Sequence, residues 1–192
     1  MKKPIISKKY QVLYNETAKL RVLEILFRFP EKEFSLSDLA REARVAKANI
    51  GSILEEFHSA GLIEITKLRV TWRIKANQKN PDFIKNKIVH NLAFVYGGGL
   101  VEFLDDYFGH PKAITLFGSF RKGDDISSSD IDIAIESEGE SKTIGLRELS
   151  DFEKMIGRKI QVHLFNRKNV DINLFNNIAN GIVLSGFLEV KL

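Results

Sequence analysis

The sequence of 192 residues contains no cysteine, four prolines, two methionines and one tryptophan. The absence of cysteine excludes both a disulfide framework and a thiolate metal site, and it fits a reducing compartment. The sequence also lacks an uninterrupted apolar run long enough to cross a membrane. Its basic opening, MKKPIISKKY, is not followed by the apolar region of a secretory signal. We therefore expect a cytoplasmic protein with no membrane partner.

The overall composition is that of a globular protein, with 44% hydrophobic and 28% charged residues. The length is sufficient for two small domains. The net charge of +4 is unevenly distributed: residues 1–90 contain 18 lysines and arginines against 10 acidic residues, whereas residues 91–192 contain 11 against 15. A basic first half suits a polyanion such as nucleic acid, and it also suits an ordinary lysine-rich surface. Charge alone leaves both interpretations open.

The clearest break in the sequence is the polar stretch ANQKNPD at 76–82. It predicts a first domain over 1–78, a helical connector over 79–110 and a second domain over 111–192. Three consecutive glycines, 97–99, interrupt the helical pattern of the connector, and we expect the helix to break there. These glycines are not interpreted as a phosphate loop, because they follow no strand and no Walker lysine accompanies them. The apolar stripes on either side favour packing between domains or a homodimer interface.

The first domain shows the apolar spacing of three helices followed by a hairpin. Ser35 and Asp38 form a variant capping box at the start of the second helix, with Asp in the position usually given to Glu or Gln. In the hairpin, Ile63 and Ile65 alternate on one arm, and Val70, Trp72 and Ile74 on the other. The predicted boundaries are Glu16–Phe29 for the first helix, 47–59 for the third, a C-cap at Gly61, and a hairpin turn near 67–69.

The order helix, helix, tight turn, helix, hairpin, with the segment FSLSDLAREARVAKANIGSILEEFHSAGLIE, resembles the winged helix-turn-helix family over residues 14–77. The resemblance implies DNA binding, with the start of the third helix in the major groove and the hairpin against phosphates. Ordinary exposed polar residues on a protein-binding winged helix are the alternative. The DNA-binding candidates are Lys47, Ala48, Asn49 and Ser52 on the helix and Lys67, Arg69 and Arg73 on the hairpin.

The stretch LFGSFRKGDDISSSDIDIAI, residues 116–135, carries the strongest chemical signal. The run AITLF over 113–117 predicts a buried strand, and Gly118 and Ser119 follow at its end. A glycine-serine turn that opens a helix presents backbone N–H groups, and the serine hydroxyl adds a further donor, which suits a phosphate. Arg121 and Lys122 add positive charge nearby.

Two carboxylates stand one residue apart in the next apolar run, SSSDIDIAI. Its period of two places Asp130, Asp132 and Ala134 on one face of a strand and the isoleucines on the other. Adjacent carboxylates repel each other unless a cation lies between them, and Mg²⁺ prefers carboxylate and phosphate oxygens. The pattern therefore predicts a magnesium–nucleoside triphosphate site, with two metals as an option. Two aspartates facing solvent at a strand edge are the alternative.

The pattern Gly-Ser, nine residues, Ser-Asp-x-Asp resembles the nucleotidyltransferase superfamily of DNA polymerase beta, and most of all its minimal nucleotidyltransferases. The resemblance runs from about residue 82 to the end. It implies an α+β domain with a mixed sheet and helices on one side. It also implies transfer of a nucleoside monophosphate from an NTP to a hydroxyl acceptor, such as a protein or RNA. The nucleotide-binding candidates are Gly118, Ser119, Arg121, Lys122 and Ser129, and the metal-binding candidates are Asp130 and Asp132, which we also count as catalytic.

Members of this superfamily often carry a third carboxylate on a later strand, for which KIQVHLF at 159–165 is the candidate here. Gln161 and His163 share the relevant face, and neither is an acid. Gln161 could offer a neutral oxygen to a metal, and His163 could serve as a base or be structural. Without the third acid, the alternative is a winged-helix transcriptional regulator whose second domain only binds nucleotide or is degenerate. Asp124 and Asp125 are expected to be solvated loop acids.

Overall fold

A computed structural model describes residues 17–69 and 71–190. Within them the chain divides between His90 and Asn91 into two compact units. Glu16 and Val70, which the sequence placed in the first helix and in the hairpin, lie outside the described residues. Over the described ranges, no helix is both long enough and apolar enough to cross a membrane.

The first unit contains the three helices and the hairpin that the periodicity predicts. The Ser35 hydroxyl accepts the backbone N–H of Asp38 at 3.1 Å, which confirms Ser35 as the N-cap, and it donates to the Asp38 carboxylate at 2.7 Å. Gly61, with φ +71°, follows the end of the third helix in the left-handed conformation that favours glycine. The elements are α1 (Ala18–Arg28), α2 (Leu36–Glu42), α3 (Lys47–Ser59), β1 (Ile63–Lys67) and β2 (Trp72–Ala76).

The core of this unit lies between the helices and one face of the hairpin. Antiparallel pairing sets Ile65 of β1 opposite Ile74 of β2, and Ile74 is fully buried. An isolated antiparallel bridge joins Phe34 to Ile74, which ties the start of α2 to the hairpin. The buried face of α3 is the predicted one and consists of Ile50, Ile53, Leu54 and Phe57.

Two helices follow, α4 (Pro81–Gly97) and α5 (Leu100–Tyr107). Gly99 has φ +76°, a left-handed conformation that the helical backbone does not contain, and it forms the N-cap of α5. The predicted break at the three glycines is therefore confirmed.

The second unit is built on a five-stranded mixed sheet in the order β5-β6-β4-β3-β7. β4 and β6 are parallel, and the other neighbouring strands are antiparallel. This confirms the α+β class and the mixed sheet. The strands are β3 (Ala113–Phe117), β4 (Ile131–Glu136), β5 (Lys142–Ile144), β6 (Ile160–Phe165) and β7 (Ile182–Gly186), and the helices are α6 (Gly118–Lys122), a 3-10 turn (Arg147–Leu149), α7 (Ser150–Ile156) and α8 (Ile172–Ala179).

Both faces of this sheet carry helices, which corrects the prediction of helices on one side. Leu104 of α5 and Phe152 of α7 pack on the face formed by the isoleucines of β4. Ile178 of α8 packs on the opposite face, against Ala134 and Phe165. The reason is that Ala134 and Phe165 bring apolar surface to the second face as well. Asp132 lies on that second face at the start of β4, two residues before Ala134.

Candidate functional site

The turn after β3 lies directly against one of the predicted metal-binding carboxylates. Cross-strand pairing places Phe117 opposite Asp132, so the next residue, Gly118, meets the Asp132 side chain. A β-carbon at position 118 would overlap the Asp132 carboxylate, and the backbone there has φ +73°. Both the conformation and the space therefore require glycine. This contact joins the two halves of the motif, which stand 14 positions apart in the sequence.

Parallel pairing of β4 with β6 gives each aspartate one side-chain partner. Asp132 is in register with Gln161, and Ala134 with His163. Asp132 contacts not Gln161 but His163, two residues further along β6, and Gln161 contacts Asp130, two residues before Asp132. The Gln161 amide donates to Asp130, and His163 Nε2 lies 3.1 Å from Asp132 Oδ1. The structure thus brings together the two carboxylates and both candidates for the third position.

His163 is held from three sides. Its Nε2 meets Asp132, and its Nδ1 lies 2.9 Å from the hydroxyl oxygen of Thr143 on β5. The ring of Phe117 stands edge-on to the imidazole with 5.0 Å between centroids. The His163 side chain is 16% exposed. The imidazole is therefore a fixed group with solvent access, which a base or a positioning residue requires.

The remaining nucleotide-binding candidates lie on α6 and in the loop before β4. Ser119 and Arg121 are half-buried and Lys122 is exposed. In the described part of the chain, neither Arg121 nor Lys122 forms an ion pair. The Ser129 hydroxyl accepts the backbone N–H of Ile126 at 3.0 Å, so it closes the loop that leads to Asp130.

That loop is anchored by a buried ion pair that sequence reasoning missed. Asp125 is fully buried, and its carboxylate lies 2.7 Å from the Arg158 guanidinium. The Asn91 amide donates to the same carboxylate at 3.0 Å and to the Phe120 carbonyl at 2.8 Å. Asp124 is exposed, as expected, but Asp125 is not the solvated acid that the sequence suggested. Its partners are distant in sequence, so no local pattern revealed them.

A cleft of about 680 Å³ opens beside Asp130, on the β6 side of the carboxylate pair. Thr143 and Arg147 line it together with Lys159 and Gln161. Sequence reasoning missed this cleft because β5 has only three residues and shows no usable alternation.

The residues fit a divalent cation with a nucleotide. Asp130 and Asp132 supply two carboxylates on one face. Because residue 118 is glycine, no side chain separates the backbone of this turn from the Asp132 carboxylate. Gln161 contacts Asp130 through its amide nitrogen, so metal ligation by its oxygen remains a prediction. A separate group, formed by Asp105 and Asp106 at the end of α5 and His110 just after it, could also hold a cation and is largely exposed. There the hydrogen bond that the Asp105 carboxylate accepts from His110 raises the pKa of His110.

The predicted DNA-binding residues all lie on exposed parts of the first unit. Lys67 lies 3.9 Å from Glu55 and over the Trp72 ring, and Arg73 lies 3.8 Å from Glu33. Lys47 and Arg69 form no ion pair with any described residue. Ala48, Asn49 and Ser52 are exposed near the start of α3. Between them, a β-carbon added at Gly51 would meet nothing within 4 Å.

Comparison with known families gives one match. Residues 99–178 match the family model of the nucleotidyltransferase domain. The match begins at the glycine before α5, ends within α8, and includes the Gly118 turn, both aspartates and His163. It supports a nucleotidyltransferase-like function for the second unit. No curated protein matches the chain.

Proposed function

We propose that the protein is a magnesium-dependent nucleotidyltransferase that moves a nucleoside monophosphate from an NTP to a hydroxyl acceptor. The observation that carries this proposal is the contact of the Gly118 turn with the Asp132 carboxylate, within a unit that matches the nucleotidyltransferase domain. A phosphate-binding turn against a metal-binding carboxylate is the arrangement that a metal-bound triphosphate needs.

In this proposal the turn after β3 binds the triphosphate and the carboxylate pair binds the metal. Gly118 and Ser119 seat the triphosphate with backbone and hydroxyl donors, Ser129 shapes the adjoining loop, and the cations Arg121 and Lys122 supply charge. Asp130 and Asp132 hold Mg²⁺, with Gln161 as a further candidate ligand. The bound metal would neutralise charge on the phosphates during in-line displacement.

The reaction forms a bond between the acceptor oxygen and the α-phosphorus and breaks the bond from that phosphorus to the bridging oxygen of pyrophosphate. The acceptor hydroxyl loses a proton, for which we propose His163 as the receiving group. Asp132, 3.1 Å from His163 Nε2, would stabilise the imidazolium that results. This arrangement supplies a base where related proteins use a third carboxylate.

Calorimetric titration of ATP and of GTP, with and without Mg²⁺, tests the proposal directly. We expect metal-dependent binding by the wild type and none by the Asp130→Ala/Asp132→Ala variant. The matched control is Asp105→Ala/Asp106→Ala, which removes two acids outside the motif and should leave nucleotide binding intact. Two results would refute the assignment of the site. One is nucleotide binding that is lost only in the control variant, and the other is the absence of binding by folded wild type.

We propose DNA as the partner of the first unit, as a winged helix. Four features support this: Lys47 and Arg69, which form no ion pair with any described residue, the exposed Asn49, and the open surface at Gly51. Asn and Lys can bond base edges or phosphates in the major groove. If the second unit proves unable to transfer nucleotide, the same surface supports a transcriptional regulator that binds nucleotide or has lost that ability.

Fluorescence anisotropy with labelled duplex DNA at several salt concentrations tests this second proposal. Replacing Arg69 or Arg73 by Ala should weaken binding for all sequences and reduce the salt slope by about one for each phosphate that the side chain neutralises. Because Arg73 also lies near Glu33, the larger effect is expected at Arg69. Unchanged DNA binding in the triple variant Arg69→Ala, Lys47→Ala, Asn49→Ala would remove DNA from the proposal.

The connector also predicts a homodimer. Sedimentation in the same buffers tests this prediction.

A further inference from the structure

A threonine hydroxyl stands at the end of a hydrogen-bonded chain that starts at the Asp132 carboxylate. Thr143 of β5 pairs directly across the strands with His163 of β6. The distances are 2.9 Å from Thr143 Oγ1 to His163 Nδ1 and 3.1 Å from His163 Nε2 to Asp132 Oδ1. Hydroxyl, imidazole and carboxylate in this order form the relay that activates a hydroxyl as a nucleophile.

The direction of the hydrogen bonds follows from the chemistry of the partners. A carboxylate only accepts, so a neutral His163 places its single ring hydrogen on Nε2, toward Asp132. Nδ1 then carries the lone pair and accepts the hydroxyl hydrogen of Thr143. The edge-on contact with Phe117 helps to hold the ring in this orientation.

The location of Thr143 also suits a reacting group. β5 is an edge strand of the sheet, and Thr143 is exposed. It lines the same cleft as Asp130 and Gln161. The triphosphate turn at Gly118 meets Asp132 from the β3 side, and the cleft lies on the β6 side. In-line displacement requires the attacking oxygen and the leaving pyrophosphate on opposite sides of the α-phosphorus.

We propose that Thr143 is itself an acceptor, so that the protein attaches a nucleoside monophosphate to its own Thr143 hydroxyl. This rests on the proposed nucleotidyltransferase function and names a substrate for it. Thr143 Oγ1 bonds to the α-phosphorus of the NTP, the bond from that phosphorus to the bridging oxygen breaks, and pyrophosphate leaves. The hydroxyl proton passes to Nδ1 of His163. The product is a phosphodiester-linked nucleotide on β5.

The test incubates the purified full-length chain with Mg²⁺ and each of the four ribonucleoside triphosphates labelled at the α-phosphate. Intact-mass spectrometry and peptide mapping then locate the label. We expect one nucleoside monophosphate per chain on Thr143, with an equal amount of pyrophosphate released. The rate should be independent of protein concentration, because donor site and acceptor are in one chain.

Variants separate a chemical role of Thr143 from a structural one. Thr143→Val keeps the shape and removes the hydroxyl, so labelling should fall to background. Thr143→Ser restores a hydroxyl and should restore labelling. Thr66→Val removes an exposed strand threonine in the first unit and should have no effect. Thermal unfolding midpoints of all three variants establish that each is folded.

Two results would overturn the inference, and they differ from failure of the proposed function. Wild type that binds Mg²⁺–NTP in calorimetry but acquires no label would exclude Thr143 as acceptor while leaving the nucleotide site intact. Label that persists in Thr143→Val, or maps to another residue, would have the same meaning. Labelling that persists in Asp130→Ala/Asp132→Ala would instead refute the nucleotide site itself.

Discussion

The backbone of Gly118 lies against the carboxylate of Asp132, and no larger residue fits between them. Gly118→Ala therefore carries two costs: a left-handed backbone unfavourable by about 1–2 kcal/mol for other residues, and displacement of the Asp132 side chain. We predict a loss of stability of that order and loss of metal-dependent nucleotide binding. Urea denaturation and calorimetry measure the two effects separately.

Gly109→Ala is the matched control for this change. Gly109 also has a left-handed backbone, with φ +66°, but a β-carbon there would meet nothing within 4 Å. The control should lose similar stability and still bind nucleotide. If both variants bind nucleotide as wild type does, the position of Asp132 does not depend on the turn.

For Gly51 on α3 we predict the opposite effect on stability. Glycine inside a helix destabilises it by roughly 0.5–1 kcal/mol relative to alanine, and nothing in the described fold requires glycine at this position. Gly51→Ala should therefore stabilise the protein by about that amount while weakening DNA binding, because the added methyl occupies the space of an approaching partner. Denaturation and anisotropy are the two measurements.

Ser59→Ala, at an exposed position at the far end of the same helix, controls for a general effect of surface changes on DNA binding. It should leave the affinity unchanged. A Gly51→Ala protein that gains stability and binds DNA at full affinity would show that this surface is not the one that meets DNA.

The buried pair of Asp125 and Arg158 predicts a large stability effect. Removing one partner leaves an uncompensated buried charge, which typically costs about 3–5 kcal/mol. Arg158→Met should therefore lower the free energy of unfolding by that amount in urea denaturation. The additional change Asp125→Leu should recover part of the loss, because it removes the orphaned carboxylate.

An exposed ion pair in the same unit provides the comparison. Lys154 lies 3.6 Å from Asp151 on α7, and both side chains are more than half exposed. Lys154→Met should change the unfolding free energy by less than about 1 kcal/mol. Equal effects at Arg158 and Lys154 would mean that the Asp125 carboxylate reaches solvent.

Local sequence signals were sufficient for the helices and hairpin of the first unit and for the central motif. Alternation placed Asp130 and Asp132 on one face, and the four residues from Ser35 to Asp38 were enough to predict the N-cap at Ser35. What the sequence did not reveal depends on pairing between distant segments. Asp125 meets Arg158 only because the loop folds back onto the start of β6, and Thr143 meets His163 only through β5, whose three residues carry no pattern. The helix on the second face of the sheet likewise follows from Ala134 and Phe165, which come together only in the folded sheet.

His110 makes the protein's stability depend on pH near neutrality. Its Nδ1 lies 2.5 Å from Asp105 Oδ2, and this hydrogen bond raises the pKa of His110 above its ordinary value near 6.5. A raised folded-state pKa means that the protonated form favours folding. The contribution is therefore fully present below the ordinary pKa and is lost as the pH rises through the raised one.

Titration of the ring protons by NMR should show the raised pKa of His110 directly. Asp105→Asn should lower it more than Asp106→Asn does, because Asp105 accepts the hydrogen bond and adds its charge, whereas Asp106 contributes only a weaker charge effect. Equal effects of the two variants would mean that the neighbouring negative charge, and not the hydrogen bond, controls this histidine.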